Sequence, residues 1–566
     1  MRKRILFMSM LTSLFFAGCS QDEIVPGGED NGSGEANTSY LSVNLVSSDL
    51  TGTRAASGYQ DGEEYENKVE KVRFYFFTAN GAAANVKLSN GNFVNYHDWE
   101  PGKGDQTAGN IDTDDIESKL AVTLVINTAN GDRGDLQRMA AVLNPPTDMP
   151  AGSKSLNELQ NIMGNYAVSG YTTSGKFVMF NAVYGENGVK VRSTVVKPEN
   201  LATSIDAAKK NPVTIYVERS VAKVRVLLGT NVAAAETGRI ALKDKDDKDL
   251  KVDGKQIYLS LGGWSLTADT DKGNLIKDID PAWTSDWWNG THRSFWAINA
   301  KGAKNQYHKY NEIGTQFGAE HSLYTNENAL DYSENSIEEK LERTKVILKG
   351  TLCDDKGDAY TIFRHMGSHY IDSYSATEKD NLVGLKKALL AELGQSVQYY
   401  YETTESGQTK REQIGTNEVK VVIATQKEEE DSQNNCYVHL ELTDDAKGKT
   451  WYNSLAEDAT SLTDAVATIN KSLVDNVTPA LVWKEGQTYY FYDIIHHGSG
   501  GNATKGVVRN HIYQTTVTKI AGFGTPVYDP EEEIYPEIPD PKYHYVAAQI
   551  NILSWRLVED NYELEW

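Results

Sequence analysis

The chain has 566 residues, more than one hydrophobic core usually serves, so we expect at least two domains. Its formal net charge of -23 repels phosphate backbones and anionic lipid head groups, which argues against nucleic acid as a partner. With only three cysteines the chain is not a disulfide scaffold, and whether Cys353 and Cys436 pair is left open. After Cys19 no apolar run is long enough to span a membrane.

The N-terminal sequence is typical of a secretion signal. A basic start at residues 1–4 precedes an apolar run over 5–16 and two small residues before Cys19. The run is too short to cross a bilayer, and the small-small-Cys ending is the pattern that bacterial lipoprotein processing recognises. We therefore predict a signal peptide over 1–19 with Cys19 as the lipidated residue; ordinary cleavage nearby is the alternative. The polar residues 20–38 that follow predict a flexible tether.

The first predicted strand runs from Tyr40 to Val46 and alternates apolar with polar residues. Its apolar face consists of Leu41, Val43 and Leu45. A few residues later Arg54-Ala55 lies among small residues, and an exposed loop of that kind is where a protease cuts. If a protease cuts after Arg54, this strand can leave its sheet. It would expose unpaired backbone groups and an apolar groove, which invite strand addition.

The rest of the chain is dominated by short β-branched and aromatic runs broken by Gly, Asn, Asp and Ser, which is typical of all-β sandwiches. The strand candidates are 71–77, 120–126, 177–180 and 213–228. Helical periodicity is confined to 155–163 and 381–393, which we interpret as minor insertions in a β framework. Because the sequence after residue 228 turns small, polar and charged, we predict a first domain over 55–228 and a second over 229–525.

The C-terminal end combines a proline-rich segment with an apolar strand. Residues 526–542 contain five of the fourteen prolines, which predicts a stiff spacer. Beyond it, over 543–566, one apolar face gives way to a second. The apolar residues of these two faces are Val546, Ala548, Ile550 and Ile552, then Leu553, Trp555 and Leu557. Such a phase shift indicates a bulge or a strand buried on both faces. The segment either closes its own sheet or enters another molecule, where head-to-tail addition would build a fibre.

No set of residues predicts an enzyme. The stretch His497-Gly498-Ser499-Gly500-Gly501 has the composition of a nucleophile loop, but it separates two strand-like runs, so we expect a hairpin loop. The adjacent His496 and His497 would point to opposite faces of a strand, and the acidic run 244–249 lacks the Gly and Glu of a calcium loop. We predict no catalytic residue, no metal and no cofactor.

A tryptophan cluster supports an alternative function. Trp283, Trp287 and Trp288 lie close in sequence to Trp296, and such residues form either a core or a flat platform for sugars or proteins. If they are exposed, the chain is a surface lipoprotein that binds glycan or host protein without polymerising. Pairing of 546–558 within its own monomer would favour that alternative.

Several motifs together resemble a known family. They are the lipoprotein start, Arg54-Ala55, Val217-Glu218-Arg219-Ser220-Val221-Ala222-Lys223-Val224, Arg293-Ser294-Phe295-Trp296-Ala297, Tyr489-Tyr490-Phe491-Tyr492, Val507-Val508-Arg509-Asn510-His511-Ile512-Tyr513 and Ile550-Asn551-Ile552-Leu553-Ser554-Trp555. In this order they are similar to the fimbrillin (type V pilin) subunits of Bacteroidia-type bacteria, and most to the short-fimbria major subunit branch.

The resemblance implies two transthyretin-like β-sandwich domains and a structural subunit of a cell-surface fimbria that supports adhesion. It implies export as an outer-membrane lipoprotein through Cys19, cleavage by an arginine-specific protease at Arg54-Ala55, and loss of 20–54 as a propeptide. Subunits then join when the donor strand, 543–566, enters a neighbouring copy or a related subunit. The partners implied are further fimbrial subunits, the protease and the membrane, with a host protein or glycan as a further partner.

Overall fold

The structure is a computed structural model. It describes residues 38–47, 63–84, 86–87, 93–101, 118–128, 136–147, 149–150, 152–162, 168–172, 176–186, 189–244, 246–279, 292–293, 297–329, 342–372, 382–426, 435–494, 496, 506–527, 529–536, 544–554 and 557–559. All structural statements below concern these residues.

The strands of the first part, in chain order, are β1 (Thr38–Ser47), β2 (Val72–Phe77), β3 (Val86–Lys87), β4 (Phe93–Val94), β5 (Tyr96–Trp99), β6 (Ser118–Thr128), β7 (Arg138–Leu143), β8 (Met179–Asn181), β9 (Tyr184–Glu186), β10 (Val189–Val191), β11 (Thr194–Val195), β12 (Leu201–Ala202), β13 (Val213–Arg219) and β14 (Ala222–Leu228).

The later strands are β15 (Ile240–Ala241), β16 (Lys251–Val252), β17 (Lys255–Gln256), β18 (Tyr258–Thr267), β19 (Asp269–Thr270), β20 (His292–Arg293), β21 (Asn305–Gln306), β22 (Ser322–Thr325), β23 (Lys345–Cys353), β24 (Thr361–His365), β25 (Ser368–Asp372), β26 (Tyr400–Glu405), β27 (Gln408–Gln413), β28 (Val419–Gln426), β29 (Asn435–Leu442), β30 (Trp451–Tyr452), β31 (Ala480–Trp483), β32 (Gln487–Asp493), β33 (His511–Gly522), β34 (Thr525–Pro526), β35 (His544–Ser554) and β36 (Leu557–Glu559).

The helices are short apart from two. They are α1 (Glu64–Asn67), α2 (Leu156–Gln160), α3 (Val168–Tyr171), α4 (Ile205–Lys210), α5 (Ala234–Thr237), α6 (Val383–Ser396), α7 (Asp444–Lys447) and α8 (Ala465–Asp475), with 3₁₀ turns at Pro198–Asn200, Tyr310–Glu312 and Lys484–Gly486. Strands dominate, and sheets carry the cores, so the all-β prediction is confirmed.

The first domain is one sheet around one core. Its strand order is β4-β3-β6-β1-β13-β8-β7-β2-β5, with β11 added at β7 and β12 at β1. Buried side chains from β1, β2, β7 and β13 belong to a single cluster, so the sheet curls around a common interior. Strand β2 is buried at every residue, as its continuous aromatic and β-branched sequence predicts for a strand covered on both faces.

The second domain is a sandwich of two five-stranded sheets. One has the order β22-β14-β33-β35-β36, and the other has the order β15-β18-β23-β32-β34. Val224 and Tyr513 from the first sheet share a core with Leu259, Trp264 and Leu348 from the second. Alternating side chains of both sheets therefore meet between them, as in other β-sandwiches.

A third unit is inserted between β23 and β32, which pair with each other in the second domain. Its strands form the sheets β25-β24-β31-β29-β28 and β27-β26-β30, and α6 and α8 pack on them around a separate core. Helix α6 corresponds to the predicted helix 381–393, and its leucines Leu385, Leu389 and Leu393 are buried. The insertion explains the length of the C-terminal part.

The boundary between the first two domains differs from the predicted one. The single strand predicted over 213–228 is two strands, because β13 pairs with β1 and β8 whereas β14 pairs with β22 and β33. The chain therefore changes sheets at Ser220-Val221, and β14 belongs to the second domain rather than the first.

Candidate functional site

Strand β1 lies in the interior of the first sheet. It pairs antiparallel with β6 along its whole length, from Thr38 opposite Asn127 to Ser47 opposite Ser118. On its other edge it pairs first with β12 and then, from Val43 onward, in parallel with β13. Removing β1 would therefore leave unpaired backbone groups on two facing strands. We call the space that β1 occupies between β6 and β12–β13 the β1 slot.

The side chains of β1 form part of the core. Leu41 and Val43 are 0% exposed and belong to the same cluster as Val122, Leu124 and Val213. This agrees with the apolar face predicted from the alternation of β1; the side chain of Leu45, the third residue predicted there, lies outside the described side chains. Release of β1 would open an apolar groove as well as two strand edges.

The predicted donor segment is paired inside its own monomer. Strand β35 runs antiparallel to β33 along its length, and a register shift lies between Val517 and Lys519 of β33. The segment predicted as one strand over 546–558 is two strands, since β36 folds back onto Asn551–Leu553. Leu557 belongs to the returning strand, where it lies opposite Leu553.

The first part of the predicted spacer packs against its own domain. Ile534 is buried in a small cluster with Tyr310 and Ile313, and its backbone N–H donates to the carbonyl of His308 at 2.9 Å. The rings of Tyr307 and Tyr535 lie 4.5 Å apart. Residues 529–536 are therefore anchored to the second domain and are not a free spacer, because a buried isoleucine interrupts the proline and glutamate sequence.

His308 also supports this anchor electrostatically. Its Nε2 lies 3.0 Å from the Oδ1 of Asp269, and the hydrogen bond to this carboxylate raises the pKa of His308 above its usual value although burial opposes the charge. The histidine is thereby held toward its protonated form beside the backbone that receives Ile534.

Two of the motifs that carry the resemblance meet at the junction of the domains. The backbone N–H of Arg219 donates to the Oδ1 of Asn510 at 3.2 Å, and the N–H of Asn510 donates to the carbonyl of Val221 at 2.8 Å. The guanidinium of Arg219 donates to the carbonyl of Glu66 and to the side chain of Asn67 in helix α1. Residues far apart in sequence are thus joined by hydrogen bonds in a buried region.

Arg509 is a fully buried cation of this junction. Its Nε and Nη2 donate to the two carboxylate oxygens of Glu327, both at 2.8 Å, and its guanidinium also donates to the carbonyls of Asn274 and Leu275. Both partners of the ion pair are 0% exposed. Burial disfavours the charged form, yet the carboxylate of Glu327 more than offsets it and raises the pKa of Arg509.

Two further buried ion pairs complete the junction. Lys277 lies 3.1 Å from Glu218, and Lys223 lies 2.9 Å from Glu66. Glu66 also accepts the hydroxyl of Tyr324, and burial together with this carboxylate raises the pKa of the tyrosine. This network was not predicted from the sequence. Its available signal was the presence of Glu218 and Lys223 in strands that are largely apolar, since buried charges in a strand must be paired.

Several predicted residues lie outside the described part of the chain. They are Cys19, Arg54, Ala55, Trp283, Trp287, Trp288 and Trp555. The side chains of Val546, Ala548, Ile550, Ile552, Leu553 and Leu557 are likewise not described, although their backbone pairing is. Cys353 is a buried free thiol, and burial raises its pKa.

Two other stretches with candidate chemistry have structural explanations, whereas residues 497–501 lie outside the described residues. Asp244 accepts the backbone N–H groups of Asp246 and Lys248 and closes a turn. The Nδ1 of the buried His496 lies 2.8 Å from the hydroxyl of Tyr513. Within the described ranges, no group of three or more His, Cys, Asp or Glu side chains could hold a metal ion. In that same part of the chain, no helix has the length and apolarity to cross a membrane.

Comparison with known families identifies the C-terminal region. Residues 482–561 match the family described as "Major fimbrial subunit protein type IV, Fimbrillin, C-terminal". This region is similar to the C-terminal domain of fimbrillins. The match includes β32, β33, β35 and β36, and it confirms the resemblance to fimbrillins. The match supports a role as a fimbrial subunit.

Solved structures with a likeness to this chain share little sequence with it. A candidate cell adhesion protein from Bacteroides eggerthii is 10% identical, with 91% of this chain and 95% of that chain covered and a TM-score of 0.35. The tip fimbrial protein Mfa3 from Porphyromonas gingivalis is 11% identical, with 91% and 100% covered and a TM-score of 0.29. A fimbrial assembly protein from Parabacteroides distasonis is 11% identical, with 75% and 99% covered and a TM-score of 0.27.

These TM-scores are low, so the family assignment rests on the match of residues 482–561. The search of curated protein sequences gave no match.

Proposed function

We propose that this fimbrillin is a fimbrial subunit that polymerises by strand exchange at the β1 slot. It is exported as a lipoprotein through Cys19, an arginine-specific protease cuts after Arg54, and β1 leaves. The C-terminal strand of a second copy then enters the vacated slot. The observation that carries this proposal is the interior position of β1, whose two edges are both paired and whose described core side chains are fully buried.

Cleavage after Arg54 would separate β1 from a chain that stays attached elsewhere. Helix α1 begins at Glu64, and Glu66 is tied to Lys223, Tyr324 and Arg219 at the domain junction. The chain that follows the cut is therefore held by buried contacts that do not involve β1. Loss of β1 would remove one strand from the first sheet without loosening the link between the domains.

Strand β35 would gain partners on moving into the slot. In its own monomer it has one long neighbour, β33, while β36 covers only Asn551–Leu553 on the other edge. In the slot of another copy, β6 would pair along one edge, and β12 with β13 along the other. The strand is eleven residues long against ten for β1, so it can fill the slot. Because such a contact joins different surfaces of two copies, it continues into a fibre.

The length of the segment before β35 limits how far β35 can extend from its own domain. Residues 529–536 are anchored through Ile534, and seven residues, 537–543, connect this anchor to His544. An extended chain of that length spans at most about 25 Å. The donor strand would therefore leave its domain from a defined point, which favours one arrangement of neighbouring subunits.

Cleavage and assembly can be tested on protein lacking the lipid site. Treatment with an arginine-specific protease should produce a new N-terminus at Ala55, followed by polymers in size exclusion and electron microscopy. Truncation before Tyr543 should leave folded monomers that cannot extend, and Ile550→Asp or Trp555→Asp should weaken extension. Val189→Asp is the matched control, because Val189 is 62% exposed in β10 and lies outside both strands. Normal fibres from the truncated protein would contradict the donor assignment.

The pairing of β35 with β33 within one chain favours a second function. In that case the strand is a permanent part of its own sandwich, and the protein is a surface lipoprotein that binds glycan or host protein through Trp283, Trp287 and Trp288 without polymerising. Stable monomers after clean cleavage at Arg54 would support this function. A glycan array with variants of these tryptophans would then be the next measurement.

A further inference from the structure

One connection between strands of the first sheet packs against β1. Strand β12 pairs with Tyr40 and Leu41 of β1, and β13 pairs with the same edge from Val43 onward. Helix α4, which we call the cap helix, links these two strands and lies against β1. Ser42 is the one residue of β1 that lies between the two pairings, and the cap helix links the strands that flank it.

Ser42 lies on the face of β1 opposite the core. Successive strand residues point to opposite faces, so Ser42 faces away from the core that contains Leu41 and Val43. In an open sheet this face would be in water, yet Ser42 is only 4% exposed. Ala208 is the buried residue of the cap helix and does not belong to the core cluster. Ser42 is thus enclosed on the side where the cap helix packs.

The cap helix has its own N-terminal cap, and its C-terminal end is linked to the turn before β12. The hydroxyl of Ser204 accepts the N–H of Ala207 at 3.3 Å, and the side chain of Asn200 donates to the carbonyl of Asn211 at 2.9 Å. The flanking strands belong to the sheet that surrounds the slot. A helix held in this way cannot move away easily when a larger side chain arrives below it.

We infer that the cap helix makes the β1 slot selective for a strand with a small residue at the position of Ser42. The inference rests on the proposed function, because it concerns the strand of a second copy that replaces β1. This selectivity also determines the register of β35 in the slot, since only some alignments of β35 bring a small residue under the cap helix.

The sequence of β35 contains such a residue. Residues 40–45 read Tyr, Leu, Ser, Val, Asn, Leu, and residues 545–550 read Tyr, Val, Ala, Ala, Gln, Ile. Both follow the order aromatic, apolar, small, apolar, amide, apolar. When β35 enters in the direction of β1, parallel to β13, Ala547 takes the position of Ser42 and Ala548 that of Val43.

A second alignment that keeps the apolar face inward is shifted by two residues. It brings Gln549 to the position of Ser42 and Ala547 to that of Tyr40. Glutamine is much longer than serine, and inserting extra atoms into an enclosed site forces neighbouring groups to shift. The cap helix therefore disfavours this register, although Ile550 and Ile552 would fill the groove well in it.

Peptides test the register without altering the subunit. A synthetic peptide of residues 543–558 is added to the full-length subunit during cleavage at Arg54, and its concentration for half-inhibition of polymerisation is measured by light scattering. We expect Ala547→Leu to raise that concentration by about tenfold or more, and Gln549→Ala to change it by less than roughly threefold.

The results of the peptide test distinguish the size rule at Ser42 from strand exchange itself. Equal inhibition by the Ala547→Leu and unmodified peptides would overturn the size rule while leaving strand exchange intact, and strong improvement by Gln549→Ala would point to the shifted register. If the unmodified peptide does not inhibit while the subunit polymerises, the C-terminal strand does not enter the β1 slot. That result would refute both the proposed function and this inference. A subunit carrying Ala208→Gly should partly recover inhibition by the Ala547→Leu peptide, because it leaves more room under the cap helix.

Discussion

Substitution of Val43 by alanine separates the role of β1 as a core strand from its role as a removable strand. Val43 is fully buried, and it pairs with Val122 on one side and Val213 on the other. Loss of two methyl groups and creation of a small cavity should cost about 2 kcal/mol of precursor stability. If the cut strand must dissociate before a second copy binds, the same loss should accelerate its release on the order of 10- to 30-fold.

The assay follows polymerisation of the precursor by light scattering after addition of an arginine-specific protease, with cleavage monitored in parallel by gel electrophoresis. Urea unfolding of the uncut precursor gives the change in stability. Val43→Ala should lower the unfolding midpoint and shorten the delay between complete cleavage and polymer growth. The readout isolates strand release because cleavage itself is measured separately.

Val142→Ala is the matched control. Val142 is fully buried in the same core but belongs to β7, which stays in the subunit after cleavage. It should destabilise the precursor by a similar amount and leave the delay unchanged. An unchanged delay for a destabilised Val43→Ala precursor would refute the requirement for β1 release, and equal acceleration by both variants would attribute the effect to general loosening of the domain.

Three further predictions concern the junction, the inserted unit and the anchor. Arg509→Leu should lower the free energy of unfolding, measured in urea, by about 3–5 kcal/mol because it leaves a buried carboxylate unpaired. Lys447→Met, which removes an exposed ion pair, should lower it by less than about 1 kcal/mol. Equal losses for the two variants would contradict this prediction. Burial and a nearby arginine lower the pKa of His369 to about 4, so the unfolded chain takes up the proton first and stability should fall as the pH drops from about 6.5 toward 4. Thermal melts of His369→Phe should lack this fall, and an identical pH profile would exclude the histidine as its source. Ile534→Asp should increase hydrogen exchange of residues 529–536 in mass spectrometry, whereas unchanged protection would show that this side chain does not hold the anchor.

The local sequence was sufficient to predict β1 because an interior strand needs an alternating pattern. Leu41 and Val43 are buried as the alternation indicates, and the periodicity of the leucines in α6 is likewise that of a helix packed on one side. The same local reasoning merged β13 with β14 and β35 with β36. A continuous apolar sequence does not show whether the chain continues as one strand or changes sheets or turns back, since the same residues are buried in either case.

The sequence alone determined that the protein is all-β, that its first strand has one apolar face, and that its motifs resemble fimbrillins. Strand propensity, alternation and motif composition are local properties, so they can be read without the fold. Only the tertiary structure decided that β1 lies between β6 and β13, that Ile534 anchors the proline-rich segment, and that Arg509 meets Glu327 at the junction. These are pairings between residues distant in sequence. The partner of a buried charge or of a strand edge is determined only by the folding of the whole chain.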